Sequence, residues 1–352
     1  MVLKEHLPSS KYFDLENPSD IAQLAEPELL FNSIKGLIVL DEIQHKPDLF
    51  PFLRGYVDRN PTKRFLVLGS ASAELLNKSS ETLAGRIIYH ELQPLGIDEL
   101  DHINSENHWT RGGFPRSLLA STDEASFDWR RGFIKTFVER DLPALGSQVQ
   151  SYTHDRFWHM LAAAHGQVWN GARFGRAFGV ADTTIRNYLD TLTSALVVQQ
   201  LQPWFENIKK RQVKSPKVYI VDSGLLHALL DIETQDSLLK NPILSHSWEG
   251  YVISQVSQIL KARKDQLFFW ATHSGAEIDL LLVRGQEKIG FEIKRTTPPQ
   301  YTKSMRSAVE TLDLKKAFLI HAGSETFPLA ENVSAIAFND INELPELITE
   351  LE

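Results

Sequence analysis

The 352-residue chain contains no cysteine. That absence excludes disulfide scaffolds, thiolate metal sites and cysteine nucleophiles, and it fits a reducing compartment. Long hydrophobic runs are missing as well. The apolar stretches, such as Leu37 to Leu40, are strand-sized and far short of a membrane span. The opening Met1-Val2-Leu3-Lys4-Glu5-His6 lacks the basic-then-apolar layout of a secretory signal. A cytoplasmic protein with no membrane partner is the expectation. Gly-x-Ser-x-Gly is absent, which argues against an α/β-hydrolase, and no His-Glu-x-x-His occurs. The histidines are scattered without metal-ligand spacing, and His102 and His108 read as coincidence. A formal net charge of −8 argues against a surface that coats nucleic acid throughout, but it leaves room for a local basic patch.

The length calls for two or three domains. The first hundred residues alternate strand and helix. Lys11 to Leu15 is a short strand ended by Asn17-Pro18, and Asp20 to Phe31 is helical, with Ile21, Leu24, Leu29 and Leu30 as core candidates and a kink or split at Pro27. Gly36 to Leu40 and Phe65 to Leu68 are continuous apolar runs with a helix between them near Leu49 to Val57. That order implies a parallel sheet with crossover helices. From Asn104 to about Gln150 the text is helical and aromatic, with Trp109, Phe114, Trp129, Phe133 and Phe137 spaced as core residues. Arg263 to Thr297 is strand-rich, with hairpin signals at Ser274-Gly275 and Arg284-Gly285. There is no internal repeat and no low-complexity tract.

The first constellation is Leu37-Ile38-Val39-Leu40-Asp41-Glu42, an apolar strand that delivers two acids at its C-terminal end, where parallel sheets bind ligands. In nucleotide hydrolysis the first acid helps hold magnesium and the second orients or deprotonates the attacking water. A buried strand with an acidic exit is the plainer alternative. The phrases that follow are Ile43-Gln44, Pro47, Leu49-Phe50, Gly69-Ser70-Ala71, Leu83-Ala84-Gly85-Arg86 and Leu92-Gln93-Pro94-Leu95. Further on come Arg111-Gly112-Gly113-Phe114-Pro115 and Glu139-Arg140-Asp141-Leu142. In this order the chain resembles, over nearly its whole length, the bacterial and archaeal AAA-like P-loop ATPases that carry a C-terminal domain of unknown function. The resemblance implies ATP and Mg²⁺ as cofactors, Asp41 and Glu42 as the Walker B acids, Ser70 in the sensor position and Arg86 as a phosphate-facing arginine. One departure matters. Only eleven residues precede Tyr12, none is glycine, and Gly-x-x-x-x-Gly-Lys-Ser/Thr occurs nowhere in the chain. Backbone N–H groups and the lysine of that loop supply most of the phosphate contact. The chain as written is therefore expected to be impaired in ATP binding and hydrolysis, and loss of the loop's strand should leave a neighbouring strand unpaired at an edge.

The second constellation has the pattern of a winged helix-turn-helix. Arg173 to Phe178 is a short helix, Gly179-Val180-Ala181 a turn, and Asp182 an N-cap for a helix through Leu192 whose Ile185, Leu189 and Leu192 face a core. Thr183, Thr184, Arg186 and Asn187 then point outward, as on a recognition helix. Val197 to Phe205 is the first wing strand. Lys209-Lys210-Arg211 and Lys214, with Lys217 nearby, form the densest cationic cluster and suit phosphate contact by a wing. A helical spacer between protein modules is the competing role.

The third constellation is Ser274-Gly275-Ala276-Glu277-Ile278-Asp279-Leu280-Leu281-Leu282 followed by Gly290-Phe291-Glu292-Ile293-Lys294. Residues i and i+2 of a strand share a face, so Glu292 and Lys294 project together, and Asp279 joins them if the register allows. Trp248-Glu249-Gly250 at the start of an earlier helix could add a fourth polar group. Two carboxylates and a lysine suit a site in which the acids hold magnesium and the lysine orients a water that attacks a phosphodiester. The pattern resembles the restriction-endonuclease-like family, which implies Asp279 and Glu292 as metal ligands, Lys294 as the water-positioning residue and Glu249 as the helix acid. A buried polar network without turnover is the alternative.

The expected fold class is α/β: residues 1–103 an incomplete parallel P-loop ATPase-type sheet, 104–150 a helical linker, 151–217 a winged helix-turn-helix and 218–352 an α+β restriction-endonuclease-like domain. The leading expectation is an ATPase-family protein acting on or near nucleic acid, with DNA and either a protein partner or a second copy of the chain as partners. A metal-dependent nuclease with a structural N-terminal half and a non-catalytic interaction scaffold are the alternatives.

Overall fold

A computed structural model of the chain describes residues 9–69, 83–100, 104–205, 213–273, 275–296 and 299–349. The chain divides into two compact units, Met1–Leu92 with Leu142–Gln148, and Gln93–Asp141 with Val149–Glu352.

In the first unit β1 (Lys11–Asp14), β2 (Ile38–Asp41) and β3 (Phe65–Val67) pair in parallel in that order. Ile38, Val39 and Leu40 are wholly buried, as a run apolar on both faces requires. Proline occupies the first turn of two separate helices, Pro18–Gln23 and Pro27–Ser33, so the helical stretch is split rather than kinked. The split rotates the second helix away from the expected pattern. Leu29 is 72% exposed, and Phe31 enters the core instead, ringed by Phe13, Phe52, Tyr56 and Phe65 at centroid distances of 5.2 to 6.4 Å. Helix Leu49–Arg59 covers the sheet through Leu49, Phe50, Leu53 and Tyr56. Among the described residues β3 pairs only with β2, and its Leu66 is 36% exposed, the character of an edge strand.

The second unit is built on a nine-stranded mixed sheet of β4 (Gln167–Val168), β5 (Val198–Pro203), β6 (Lys217–Ile220), β7 (Leu267–Ala271), β8 (Glu277–Arg284), β9 (Glu287–Lys294), β10 (Lys316–His321), β11 (Phe327–Ala330) and β12 (Val333–Ala337). Their order is β11-β12-β10-β9-β8-β7-β5-β6-β4. Strands β7, β8 and β9 form an antiparallel meander. Gly285, at φ +62°, supplies the left-handed turn between β8 and β9. Helix Lys303–Leu312 crosses from β9 to its parallel neighbour β10. Two apolar clusters sandwich this part of the sheet. Helix Leu244–Ile259 packs with Leu280, Phe291 and Phe318, and helix Lys303–Leu312 packs with Ile278, Leu281 and Leu319.

Ahead of that sandwich, helix Ser151–Ala162, β4, helices Gly171–Phe178 and Asp182–Ser194, β5 and β6 follow in sequence, and β6 is flanked antiparallel by β4 and β5. Gly179 (φ +67°) makes the turn between the two short helices, and Ile185, Leu189 and Leu192 are fully buried. One detail departs from expectation: Ala181 occupies the N-cap, and Asp182 is the first helical residue without a capping bond. Its carboxylate instead lies against Gly175, where a Cβ would come within 3.1 Å of Asp182 Oδ1. Phe114, Trp129, Phe133, Phe137 and Trp158 pack ring against ring at 5.0 to 5.7 Å for the first three and 5.2 to 5.8 Å for the rest.

Candidate active site

The richest polar cluster of the second unit lies where β6, β8, β9 and helix Leu244–Ile259 come together. The β8–β9 register pairs Leu280 with Phe291, and continuing it by one residue sets Asp279 across from Glu292. The amide of Ile293 donates to Asp279 Oδ2 at 2.8 Å, which fixes that carboxyl group. Lys294 Nζ lies 2.9 Å from Glu292 Oε1 and 3.9 Å from Asp279 Oδ2. The three residues expected to converge do so. Helix Leu244–Ile259 begins before Trp248, so Glu249 sits in its second turn rather than at its start. Gly250 follows Glu249 because a Cβ there would collide with His165 Nε2.

Two members of the cluster carried no individual signal in the sequence. Lys217, grouped by sequence with the wing cations, is turned inward: its side chain is 7% exposed, and its ammonium lies 2.9 Å from Glu249, 2.6 Å from Glu277 and 3.6 Å from Asp279. Tyr219, two residues along the same strand, donates to Glu249 Oε1 at 2.6 Å. Among the described residues no three His, Cys, Asp or Glu side chains gather at metal-binding spacing. Lys217 stands among Glu249, Glu277 and Asp279, and Lys294 stands beside Asp279 and Glu292.

The electrostatics separate the acids. Burial works against the Glu249 carboxylate, but His246, Lys217 and Tyr219 outweigh it and hold the group down at about 2. Burial, with the neighbouring Glu249 and Glu292 charges, pushes Asp279 well up. Burial also raises Glu292, opposed by Lys294. Glu292 Oε2 is buried and has no hydrogen-bond partner, although the residue is only 7% exposed. With all four carboxylates ionised, the two ammonium groups would leave the cluster two positive charges short of neutrality, an imbalance that adds to burial in pushing Asp279 and Glu292 up.

A second buried network organises the segment around Arg111-Gly112-Gly113-Phe114-Pro115. Asp222 accepts from Gly113 N at 2.7 Å and caps helix Ser223–Leu229 through Leu225 N at 2.8 Å. A Cβ on Gly112 would run into the Asp222 carboxylate, which explains the glycine pair. Arg130, fully buried, donates to the carbonyls of Thr110, Gly224 and Ser126. His227 Nδ1 donates to Thr110 O at 2.9 Å, leaving Nε2 to accept from Ser247 Oγ at 2.7 Å, and Trp109 donates to the same hydroxyl. His108 likewise bridges Leu95 O and the Tyr251 hydroxyl.

In the first unit, Asp41 and Glu42 stand at the C-terminal end of β2. Asp41 accepts from the Tyr12 hydroxyl, and that bond, with burial, pushes the Tyr12 phenol up to about 12. Glu42 is held at φ +54°, a left-handed conformation, and its carboxylate accepts from Gln44. Arg86 is bound through two bonds of 2.6 and 2.9 Å to Asp58 at the end of helix Leu49–Arg59. Ser70 lies outside the described residues.

Residues 1–100 match the family described as AAA domain, 104–236 a domain of unknown function (DUF8612) and 244–341 a domain of unknown function (DUF4143). Uncharacterized proteins of Mycobacterium tuberculosis (Rv2008c) and Mycobacterium bovis (Mb2031c) are each 47% identical over 330 residues, 94% of this chain and 74% of theirs. The chain belongs to the AAA-like ATPase family with C-terminal domains of unknown function. The crystal structure of protein VC1899 from Vibrio cholerae aligns over 97% of this chain and 98% of that one at 12% identity, but a TM-score of 0.20 is too low to bear on fold or function.

Within this AAA-family chain the acid–lysine cluster falls across the two regions of unknown function, Lys217 in the first and Glu249 to Lys294 in the second. Thr183 and Asn187 are exposed on helix Asp182–Ser194, Thr184 is half-buried, and Arg186 pairs with Asp190 at 3.2 Å. Lys209, Lys210 and Arg211 lie outside the described residues. No described helix is long and apolar enough to cross a membrane.

Proposed function

We propose that this AAA-family protein acts on DNA as a Mg²⁺-dependent phosphodiesterase, with Asp279, Glu292 and Lys294 as its cutting site in a restriction-endonuclease-like domain. The buried, unpartnered Glu292 Oε2 beside Asp279 carries the reading. An orphaned carboxylate oxygen in a cluster two positive charges short fits one divalent cation, and an all-oxygen donor set favours a hard ion such as Mg²⁺. When bound, that cation supplies charge for the developing phosphorane and a position for the attacking water. Asp279 and Glu292 would hold it. Lys294, 47% exposed, can reach from Glu292 to the attacking water or a non-bridging phosphate oxygen. Water adds to phosphorus and gives up one proton to solvent, the bridging P–O bond opens, and the leaving oxygen takes up a proton from solvent, so that one water is consumed for each bond opened.

The helix–strand–helix–helix–strand–strand order of residues 151–220 supports a winged helix that presents Thr183, Thr184, Arg186 and Asn187 to DNA, with Lys209, Lys210 and Arg211 on the wing. Strand β6 closes this module and also carries Lys217 into the acid cluster beside that site. For the first unit the reading is that of a family-type nucleotide site whose Asp41 and Glu42 stand at the strand end.

The test is cleavage of linear and single-stranded DNA by the full chain with Mg²⁺ or Mn²⁺. Metal-dependent cutting is expected, with a loss of about 10²–10⁴-fold in Lys294→Met and Glu292→Gln. Cutting that survives both substitutions, or no cutting by the unaltered chain on either substrate, sinks the proposal.

A further inference from the structure

We propose that the Lys217 ammonium is a built-in cation of this cluster: it occupies a cation position on Glu249, Glu277 and Asp279, and keeps a metal ion from binding there. The inference rests on the cutting-site reading and deepens it by assigning Asp279 and Glu292, and not Glu249, to the metal.

The geometry is that of a cation site filled by a side chain. Three carboxylates from two separate elements, one on helix Leu244–Ile259 and two on β8, point at one nitrogen at 2.6 to 3.6 Å. The aromatic face of Phe269 lies 5.6 Å from the same nitrogen, an arrangement that favours a positive charge. The ammonium is nearly sealed from water, so a freely solvated surface lysine is not an adequate description. A buried ammonium persists only where the surrounding acids compensate its lost hydration. The strand supplies the aim: Lys217 and Tyr219 are two residues apart on β6, and both reach Glu249 Oε1. With Lys217 counted as one cation and Lys294 as another, the remaining charge deficit is that of a single divalent ion, and Glu292 Oε2 is the carboxylate oxygen still without a partner. Glu249, committed to Lys217 and Tyr219, is then a positioning residue and not a metal ligand.

The prediction is a difference in stoichiometry, read by Mn²⁺ titration of the full chain with electron paramagnetic resonance counting free ion. Lys217→Met removes the charge while keeping length and bulk, and it should bind one Mn²⁺ more than the unaltered chain. Lys217→Arg should keep the original count. Equal counts in the unaltered chain and Lys217→Met overturn the inference, and so do two ions in the unaltered chain. If the unaltered chain binds none and Lys217→Met binds one, the built-in cation stands and the metal-dependent cutting site falls. If they bind one and one, the cutting site stands and the built-in cation falls. Should Lys217→Met fail to fold, Glu249→Gln decides: loss of a residue outside the ligand shell should lower Mn²⁺ affinity by no more than about 10- to 100-fold, whereas loss of a ligand should lower it well beyond that. A drop of that larger size overturns the assignment of Glu249 to Lys217.

Discussion

Asp222→Ala is expected to destabilise the second unit by about 3–5 kcal/mol, since removing one member of a buried, charge-compensated network leaves the others uncompensated. Two backbone donors, Gly113 N and Leu225 N, lose their acceptor at once, and both lie in buried surroundings. Helix Ser223–Leu229 loses its N-cap. Arg130 loses the favourable charge that partly offsets its own burial, which already depresses the guanidinium to about 10. The alanine leaves room but no acceptor, so relaxation cannot repair the loss. Asp222→Asn retains one acceptor oxygen and should cost roughly half as much. The measurement is urea denaturation with amide exchange at Gly113 and Leu225, which reports on this unit rather than on the whole chain. A cost below about 1 kcal/mol would mean that water replaces the lost bonds and that the network is not a structural keystone. Adding Arg130→Met to Asp222→Ala should cost less than the sum of the single changes, because the two groups are coupled.

How much of this was legible in the sequence depended on distance along the chain. Ile38 to Leu40 announced a doubly covered strand because burial on both faces leaves a continuous apolar run. Asp279, Glu292 and Lys294 were legible because a single hairpin turn at Arg284-Gly285 sets their register. Lys217 was not. It follows the cations Lys209, Lys210, Arg211 and Lys214 in sequence, and nothing in the local sequence distinguishes it from them. What redirects it is a helix acid 32 residues later and a strand acid beyond that. Gly112-Gly113 was visible as a phrase but had no assignable role, because its reason is a carboxylate 109 residues away. The same holds for His108 and His227, whose partners are set by tertiary packing and leave no periodic trace. Leu29 shows the opposite failure: Pro27 announces a kink or split but not its effect on the buried face, and the split leaves Leu29 exposed while Phe31 enters the core.

The buried histidine at position 227 should make this unit acid-labile. Burial holds its imidazole down to about 4 from the ordinary value near 6.5. Its geometry gives the reason, since Nδ1 already donates to Thr110 O and Nε2 accepts from Ser247, so a second ring proton would face a hydroxyl that must reverse its bond. The folded state therefore resists protonation more than the unfolded state does. Between pH 6.5 and 4 the unfolded chain binds more protons at this site, so stability rises with pH across that window. The contribution is complete above pH 6.5 and is lost progressively on acidification, by about 3 kcal/mol at pH 4. His108, lowered chiefly by burial, acts in the same sense, whereas Asp222, raised by burial, acts in the opposite one. Both remain in His227→Gln, so the difference in unfolding free energy between that variant and the unaltered chain isolates His227. Glutamine costs stability at pH 7.5 by breaking the Thr110–Ser247 bridge, yet it cannot be protonated. The difference should shrink by about 3 kcal/mol as pH falls from 7.5 to 4. A difference that stays constant over that range would mean that His227 carries the same charge in the folded and unfolded chains, and the neutral bridge from Thr110 through His227 to Ser247 would have to be abandoned.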